Sequence, residues 1–404
     1  MLDFSTAPET AALAARVRRF VEEVVVPREA DVAADADRLE PLRAELQQAA
    51  RDAGVFAPRV PRDYGGLGLD WRDSALVFEA AGRSLLGPQA LNCAAPDEGN
   101  MHLLHAVGTA EQKTRYYAPL ARGNVRSCFA MTEPAPGVGS DPAMLLTRAV
   151  RDGSGWVIDG DKWFITGADG AAFAICMART DDGPTMFMVD ADNPGFEIVR
   201  HTPTLDHAFP GGHCEVRFAG CRVGADAVLG DIGKGYEYAQ LRLGPGRLTH
   251  CMRWLGIAGR ALDIAMDYVN RRDSFKKRLS QHQEMQRLVA ESAIEMHASR
   301  LMIWQAAWCL DRGEQALHET SMTKVFVAEA VNRIVDRALQ MCGASGISEY
   351  LPLAQFYREI RGFRIYDGAT EVHRASIGIR LLREAAKGNA DSFSVSREGQ
   401  DARA

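Results

Sequence analysis

The spacing of apolar side chains predicts that the sequence begins with helices. Apolar residues recur every three or four positions over residues 9–26, and the same spacing continues from Leu39 to a stop at Gly54. Residues 73–122 also have a helical pattern, with connectors predicted near LGPQ and PDEGN. We therefore predict an N-terminal helical domain over residues 1–125.

The pattern changes near Arg126, where short alternating runs are separated by glycine. These runs are GWVIDGDKWFITG, FAICMART, TMFMVDADNPGFEIV and HCEVRFAG. Alternation bounded by turn residues is typical of strands. Residues 126–235 are therefore predicted to form a β barrel or sandwich.

Helical spacing returns after Gly235 in four long segments, and these are long enough to form a bundle. The predicted fold class is α+β, with a C-terminal four-helix bundle over residues 236–387. Residues 388–404 are small, polar and charged, which predicts a disordered tail. The four predicted helical segments are 236–272, 280–312, 319–342 and 370–386.

Composition excludes several classes of protein. The 404 residues carry a net charge of −6 and no block of Lys and Arg, which argues against nucleic-acid binding. No stretch approaches the ~20 apolar residues of a membrane span, and the N-terminus does not resemble a signal peptide. Eight scattered cysteines without a CxxC pair fit reduced thiols, so we expect a cytoplasmic protein.

Histidines occur in two groups, and neither group predicts a metal site. His102 and His105 lie on one helical face, and His201, His207 and His213 recur in a loop-rich stretch. Apart from Cys214 beside His213, neither group has a cysteine or carboxylate at good metal-ligand spacing. We therefore expect no metal.

Two stretches of the β region could bind a ligand. Gly137, Gly139 and Ser140 could turn backbone N–H groups towards phosphate oxygens, although a surface turn explains the same pattern. The strand DKWFITG at 161–167 places two aromatic residues and a threonine where a planar cofactor could lie, or where they could simply pack in a core. No G-x-G-x-x-G opens a helix after a strand here.

The segment IYDGATEVHR at 365–374 contains Asp367 just before a predicted helix. Aspartate followed by Gly-Ala-Thr-Glu is a good helix N-cap, and Glu371 adds charge to the first turn. From these residues alone, Asp367 is either a cap or a chemical group.

Five motifs occur in a fixed order along the chain, and together they resemble the acyl-CoA dehydrogenase family. Within this family, the sequence most resembles the subgroup of acyl-CoA dehydrogenase members 10 and 11, through NCAAPDEGNM at 92–101 and RLGPGRLTHCMR at 242–253. The resemblance implies a helical domain, a β domain and a four-helix bundle, in agreement with the periodicity. The five motifs are MTEP…GSD at 131–141, KWFIT at 162–166, RRDSF with HQ at 271–283, QMCGASG at 340–346 and YDGATEVHR at 366–374.

The resemblance implies an FAD enzyme in which each cofactor is shared between subunits of a homodimer or homotetramer. The flavin loop TEPAPGVGSD is two residues longer than the commonest family form, and Ala369 replaces a threonine that contacts FAD in many members. The residues implied to line the flavin are Phe129, Met131, Thr132, Phe164 and Thr166, with Ser140 at the pyrophosphate. Those implied to complete the FAD site of a neighbouring subunit are Arg272, Ser274, Phe275, Gln283, Gln340 and Gly343.

The implied reaction removes two hydrogens from an acyl-CoA thioester and passes the electrons to an electron-transfer flavoprotein. Asp367 occupies the position of the base that takes the α proton, where most members have glutamate. Some branches place the base near residues 246–247, but Gly246 and Arg247 stand there. Arg247 is implied to contact CoA, and Ser140 is a further candidate substrate contact. A flavin oxidase of the same fold and a non-catalytic FAD-binding scaffold are the alternatives.

Overall fold

The first part of the chain is helical. The computed structural model describes residues 5–34 and 39–387, so the predicted tail at 388–404 lies outside the described residues. Asp70 caps the helix that begins at Trp71, where its carboxylate accepts a hydrogen bond of 2.7 Å from the Asp73 N–H. The helices are α1 (Pro8–Phe20), α2 (Glu29–Ala34), α3 (Leu39–Asp52), α4 (Trp71–Ala81), α5 (Gly87–Ala90), α6 (Asp97–Val107), α7 (Ala110–Gln112) and α8 (Ala118–Ala121).

The connectors predicted near LGPQ and PDEGN are wrong. The first stretch forms the short helix α5, and the second opens α6. Two acids, Asp97 and Glu98, stand in the first turn of α6, where negative charge interacts favourably with the helix dipole. Turn-forming residues at a helix start are easily mistaken for a loop.

The middle part forms one mixed sheet of eight strands. Its strands follow the order β6-β7-β3-β2-β4-β5-β8, while β1 pairs in parallel with β4. Buried residues such as Ile158, Phe187 and Phe218 form its core. The strands are β1 (Ser127–Ala130), β2 (Arg148–Asp152), β3 (Gly155–Thr166), β4 (Phe173–Thr180), β5 (Gly183–Asp190), β6 (Phe196–His201), β7 (His213–Val223) and β8 (Val228–Leu229).

The last part is a helix bundle, and with it the predicted α+β fold class is confirmed. Helix α9 is the centre of the molecule, since it packs against α4, α6, α10 and α11 and also touches β5. The helix over 353–361 was not among the predicted segments. The elements are α9 (Gly235–Arg271), the hairpin β9 (Asp273–Ser274) and β10 (Lys277–Arg278), α10 (Gln283–Asp311), α11 (Leu317–Cys342), α12 (Leu353–Arg361) and α13 (Thr370–Ala386).

Three further predictions from the sequence concern the cysteines, membrane spans and metal sites. All eight cysteines are free and buried. Over residues 5–34 and 39–387, no helix is both long and apolar enough to cross a bilayer. In the same part of the chain, no group of three or more His, Cys, Asp or Glu side chains is arranged to hold a metal ion.

A buried ion pair fixes the loop between β1 and β2. Lys162 on β3 lies 3.0 Å from a carboxylate oxygen of Glu133, and both side chains are almost fully buried. The Glu133 carboxylate also accepts hydrogen bonds from the N–H groups of Val138, Leu146 and Thr147 at 2.7–3.1 Å. Burial raises the pKa of Glu133, but Lys162 and these donors outweigh it and hold the pKa at about 2. The Glu133 carboxylate therefore helps to tie the loop that carries Ser140 to the sheet.

We expect the substitution Glu133→Ala to lower the free energy of unfolding by about 3–5 kcal/mol, because it leaves the Lys162 ammonium buried without its anion. Denaturant-induced unfolding measures this difference. The neighbouring residue Asp161 provides a matched control, since it pairs with Arg217 at 2.8 Å on the exposed face of the same strand. Asp161→Ala should cost no more than about 1 kcal/mol. Equal losses in the two variants would contradict the role given to Glu133.

Candidate active site

Asp367 and Gly368 form a strained turn immediately before α13. Their φ angles are +55° and +92°, in the left-handed region that non-glycine residues rarely adopt. The Asp367 carbonyl accepts hydrogen bonds from Nε of Arg247 at 2.8 Å and Nε2 of His373 at 3.1 Å. The Gly368 carbonyl accepts one from Nζ of Lys324 at 2.7 Å. Side chains from α9, α11 and α13 thus hold this turn in its conformation.

The Asp367 side chain is not the cap of α13. The N-cap residue is Ala369, and no side chain bonds to the first helical N–H groups. The Asp367 carboxylate is about 20% exposed, and one of its oxygens lies 3.3 Å from Nε2 of His250. Among the described residues, no Lys or Arg forms an ion pair with it. Its oxygens therefore remain available for another partner.

His250 is a neutral neighbour of that carboxylate at physiological pH. Burial and the positive charge of Arg253 lower the pKa of His250 to about 3, although the Asp367 charge opposes them. Its ring packs beside Phe363 and Tyr366, with ring centres 5.9 and 5.0 Å away. The neutral imidazole therefore adds no positive charge beside the carboxylate.

Arg242 connects the Asp367 turn to the β sheet. Its guanidinium carbon lies 4.1 Å from the centre of the Phe129 ring on β1, and its Nε donates to Oδ1 of Asn100 at 2.7 Å. Asn100 in turn donates to the hydroxyl of Ser127 at 2.9 Å. Burial lowers the pKa of Arg242, and the negative charge of Asp367 opposes that shift, so the two groups lie within electrostatic reach. Arg242 therefore contacts β1 and lies within electrostatic reach of the Asp367 carboxylate.

The residues predicted to line a flavin gather at the ends of β1 and β3. Met131 and Thr132 directly follow β1, and the Thr132 carbonyl accepts a hydrogen bond of 3.0 Å from the Trp163 N–H on β3. The next residue, Phe164, has a φ of +52° and a ring that is 46% exposed. A half-exposed aromatic ring at the mouth of a site can lie against a planar ligand.

Thr166, at the end of β3, belongs to a chain of polar side chains. Its hydroxyl lies 2.9 Å from Nδ1 of His213, and Nε2 of His213 lies 3.0 Å from the Asp206 carboxylate. Because an ionised carboxylate only accepts, Nε2 carries the proton and Nδ1 accepts from the Thr166 hydroxyl. Burial raises the pKa of Asp206, but the hydrogen bond from His213 brings it below its ordinary value. The Thr166 oxygen is left with free lone pairs.

The remaining predicted residues lie in other parts of the surface. Ser140 sits in the loop that Glu133 fixes. Phe275 is 89% exposed at the β9–β10 hairpin, and the Ser274 carbonyl lies 3.2 Å from Nε2 of His282. The residues predicted to complete the FAD site of a neighbouring subunit form a second group, namely Arg272, Ser274, Phe275 and Gln283 near the hairpin, and Gln340 and Gly343 at the end of α11. Within residues 5–34 and 39–387, no hydrogen bond or ion pair joins this second group to Asp367 or to the ends of β1 and β3.

Sequence reasoning missed four residues around the Asp367 turn: Arg242, His250, Lys324 and His373. The first two lie in the RLGPGRLTHCMR stretch, and the helical spacing of Arg247 and His250 could have placed both on one face of α9. Lys324 stands alone among apolar residues of α11 and is fully buried, so burial lowers its pKa to about 8. A single charged residue inside an apolar helical stripe is therefore the sequence signal that could have identified Lys324.

Three family models together match almost the whole chain. They are described as the acyl-CoA dehydrogenase N-terminal domain, matching residues 7–124, the middle domain, matching 128–221, and the C-terminal domain, matching 233–382.

Individual proteins match over similar lengths. "Probable acyl-CoA dehydrogenase FadE2" of Mycobacterium tuberculosis is 38% identical over 95% of this chain and 98% of its own length. "Acyl-CoA dehydrogenase family member 11" of Homo sapiens is 36% identical over 92% of this chain, which spans only 50% of that longer protein. A solved structure titled as an acyl-CoA dehydrogenase of Mycobacterium abscessus superimposes with a TM-score of 0.88 at 35% identity, covering 95% of this chain and all of that one.

The strain in the turn gives a stability prediction. In Gly368→Ala the new Cβ would lie 2.7 Å from Nε2 of His373 at a φ of +92°. We expect a loss of about 1–3 kcal/mol in the free energy of unfolding, measured with denaturant. Gly378→Ala is the matched control within α13, where a Cβ meets no atom within 4 Å. It should be neutral or stabilise by up to about 1 kcal/mol. Similar effects at both glycines would mean that the turn is not strained.

Proposed function

This chain belongs to the acyl-CoA dehydrogenase family, whose members carry out FAD-dependent dehydrogenation of acyl-CoA thioesters, and we propose that Asp367 is the base that takes the α proton of its substrate. The observation that carries the proposal is the Asp367 carboxylate, held on a fixed backbone and left without a Lys or Arg partner. A general base needs both a fixed position and free lone pairs.

Neighbouring carboxylates are committed to other bonds, which supports the choice of Asp367. Asp97 accepts hydrogen bonds from the N–H and the hydroxyl of Ser127 at 2.8 and 2.6 Å. Glu98 accepts one from the hydroxyl of Thr249 at 2.9 Å. Using either as a base would break these buried bonds, whereas Asp367 loses none.

The backbone of the same turn offers a donor for the thioester carbonyl. No described residue accepts a hydrogen bond from the Asp367 N–H. Removal of an α proton places negative charge on the carbonyl oxygen, and a fixed N–H donor stabilises that charge. We therefore assign two tasks to Asp367. Its carboxylate takes the α proton, and its backbone N–H donates a hydrogen bond to the thioester carbonyl oxygen.

The residues at the ends of β1 and β3 fit FAD. The exposed ring of Phe164 and the free lone pairs of Thr166 suit a planar group with a polar edge. Phe129, Met131 and Thr132 would line the same group, and Ser140 would contact its pyrophosphate. FAD, when bound, supplies the acceptor for the β hydrogen as hydride.

We assign the second group of residues to the cofactor of a neighbouring subunit, which implies a homodimer or homotetramer. The guanidinium of Arg272 suits a pyrophosphate, and the amides of Gln283 and Gln340 suit the edges of adenine. Two facts support this arrangement: Phe275 is 89% exposed, and among the described residues no hydrogen bond or ion pair joins the group to the Asp367 site.

Arg247 acts mainly as a positioning residue in this proposal. It is about 8% exposed, its Nε bonds to the Asp367 carbonyl, and its Nη1 lies 3.4 Å from Gln240. A contact with CoA would use its remaining nitrogen atoms. Ser140 is exposed and stays a candidate for substrate contact.

The substitution Asp367→Asn keeps the shape of the side chain but removes the base. We expect it to retain FAD and to slow substrate-dependent bleaching of the flavin by at least about 10²-fold. Anaerobic stopped-flow absorbance with a panel of acyl-CoAs measures both properties. Glu371→Gln is the control, because Glu371 lies in the first turn of α13 with its side chain 73% exposed. Undiminished bleaching in Asp367→Asn would remove Asp367 from this role.

The fate of the electrons separates a dehydrogenase from an oxidase. We expect the substrate-reduced enzyme to be reoxidised rapidly by an electron-transfer flavoprotein and to form much less than one equivalent of hydrogen peroxide in air. Peroxide assays with and without that protein measure the partition. One peroxide per substrate oxidised would instead identify an oxidase of the same fold.

A further inference from the structure

A small cavity lies beside α9, close to the Asp367 site. His250 forms part of its wall and also lies 3.3 Å from the Asp367 carboxylate, so the cavity and the proposed base share one imidazole as a neighbour. The space open to the centre of a water molecule is about 50 Å³. Most of the lining is apolar or small, including Pro88, Ala95 and Trp254. Gln89 and His250 add polar groups, and Arg253 is the one charged residue of the lining.

Arg253 is a buried cation with an unused donor. It is 5% exposed, and its Nη1 donates to the Cys93 carbonyl at 2.9 Å. Its Nη2 is buried and has no hydrogen-bond partner among the described residues. No described carboxylate forms an ion pair with Arg253, and its only further contact of note is the Phe78 ring, 5.9 Å from the guanidinium carbon. A guanidinium keeps its charge in proteins, so it cannot relieve this situation by losing a proton.

The surrounding groups do not supply the missing anion. Glu98 is bonded to Thr249 and lies 4.0 Å from Arg59, and His250 is neutral at physiological pH. Buried charges in proteins are normally paired, because leaving one unpaired is costly. Among the described residues, three other arginines also have a buried nitrogen without a hydrogen-bond partner: Arg59, Arg72 and Arg361. Two of these lie within 4.0 Å of a carboxylate, Arg59 near Glu98 and Arg72 near Asp311. Of the four, Arg253 is the one that lines the cavity beside His250, so its free donor faces a space that a ligand could enter.

We propose that Arg253 binds a carboxylate carried by the acyl chain of the substrate, so that the preferred substrate class is the dicarboxyl mono-CoA thioesters. The inference rests on the proposed function, since it assumes an acyl-CoA substrate with its α carbon at Asp367. Arg253 follows His250 by three residues, which is about 4.5 Å along a helix. The second carboxylate thus lies several bonds beyond the carbon that loses its proton.

The size of the cavity agrees with a group of this kind. A water molecule needs roughly 10–15 Å³ of space measured in this way, so the cavity has room for a few water-sized atoms. A carboxylate has three heavy atoms and one negative charge, which matches one guanidinium. A purely apolar chain end would fill the space but leave Nη2 without a partner.

The test compares each charged acyl group with an uncharged group of the same shape. Adipoyl-CoA is paired with 6-methylheptanoyl-CoA, and glutaryl-CoA with 5-methylhexanoyl-CoA, with hexanoyl-CoA as a general substrate. Rates of flavin bleaching and kcat/KM are measured on the purified FAD-loaded enzyme. We expect the carboxylate member of at least one pair to be preferred by at least about tenfold, because a buried group built to pair with an anion rejects the analogue that lacks it.

Variants of Arg253 identify the origin of the preference. In Arg253→Met the preference should fall to about onefold or reverse, through a loss for the dicarboxyl thioester alone, while Arg253→Lys should retain part of it. Arg72→Met, which makes the same change on α4 outside the cavity, should leave the preference intact. Calorimetric titration of Asp367→Asn with adipoyl-CoA and 6-methylheptanoyl-CoA should show the same preference in Kd, without turnover.

Two results would overturn the inference. The first is that the unaltered enzyme shows the same kcat/KM for the uncharged thioesters as for the dicarboxyl thioesters, a measurement that needs no variant. The second is that Arg253→Met lowers kcat/KM for both members of a pair by the same factor. If no thioester bleaches the flavin, hexanoyl-CoA included, the proposed function itself fails. Bleaching by hexanoyl-CoA without any preference for a carboxylate would sink only the role of Arg253.

Discussion

The active site depends on how the backbone carbonyls of Asp367 and Gly368 are held. A left-handed turn at a non-glycine residue costs about 1–3 kcal/mol, and the chain offsets this cost with three hydrogen bonds from Arg247, His373 and Lys324. All three donors bind backbone oxygens and not the carboxylate. This choice of backbone oxygens is the central constraint of the site. A cation bound to the Asp367 carboxylate would also hold the turn in place, but it would occupy the lone pairs of the carboxylate.

A second set of bonds aligns the β sheet with that turn. The Glu133–Lys162 pair fixes the loop that follows β1, and the series Ser127, Asn100 and Arg242 connects β1 through α6 to α9. Each connection is buried, so it is little screened by solvent or salt. The proposed hydride acceptor and the proposed base are thereby held by different parts of the chain, and Arg242 lies between them.

Periodicity predicted most of the fold, because apolar spacing reflects burial directly. The long helices and the strands of the sheet occur close to their predicted positions, whereas PDEGN was mistaken for a connector because its turn-forming residues also suit a helix start. Asp367 was proposed as the base through the order of family motifs, since local sequence alone favoured a helix cap, and the structure gives the N-cap position to Ala369. His250, Lys324 and Arg253 could not be predicted, because their importance lies in burial and in contacts made or left unmade with residues more than forty positions away in the sequence. The roles of these residues depend on the shape of their surroundings and on their partner atoms rather than on residue type.

The three donors to the Asp367 turn come from three different helices, α9, α11 and α13. The position of the proposed base therefore depends on the assembly of the whole bundle, while the residues proposed to face FAD at the ends of β1 and β3 depend on the sheet. Mild heat or denaturant that loosens the packing of α13 would misplace the base before the sheet is disturbed. Such a protein would remain yellow and largely folded but inactive, so cofactor content would be a poor measure of functional integrity during purification and storage.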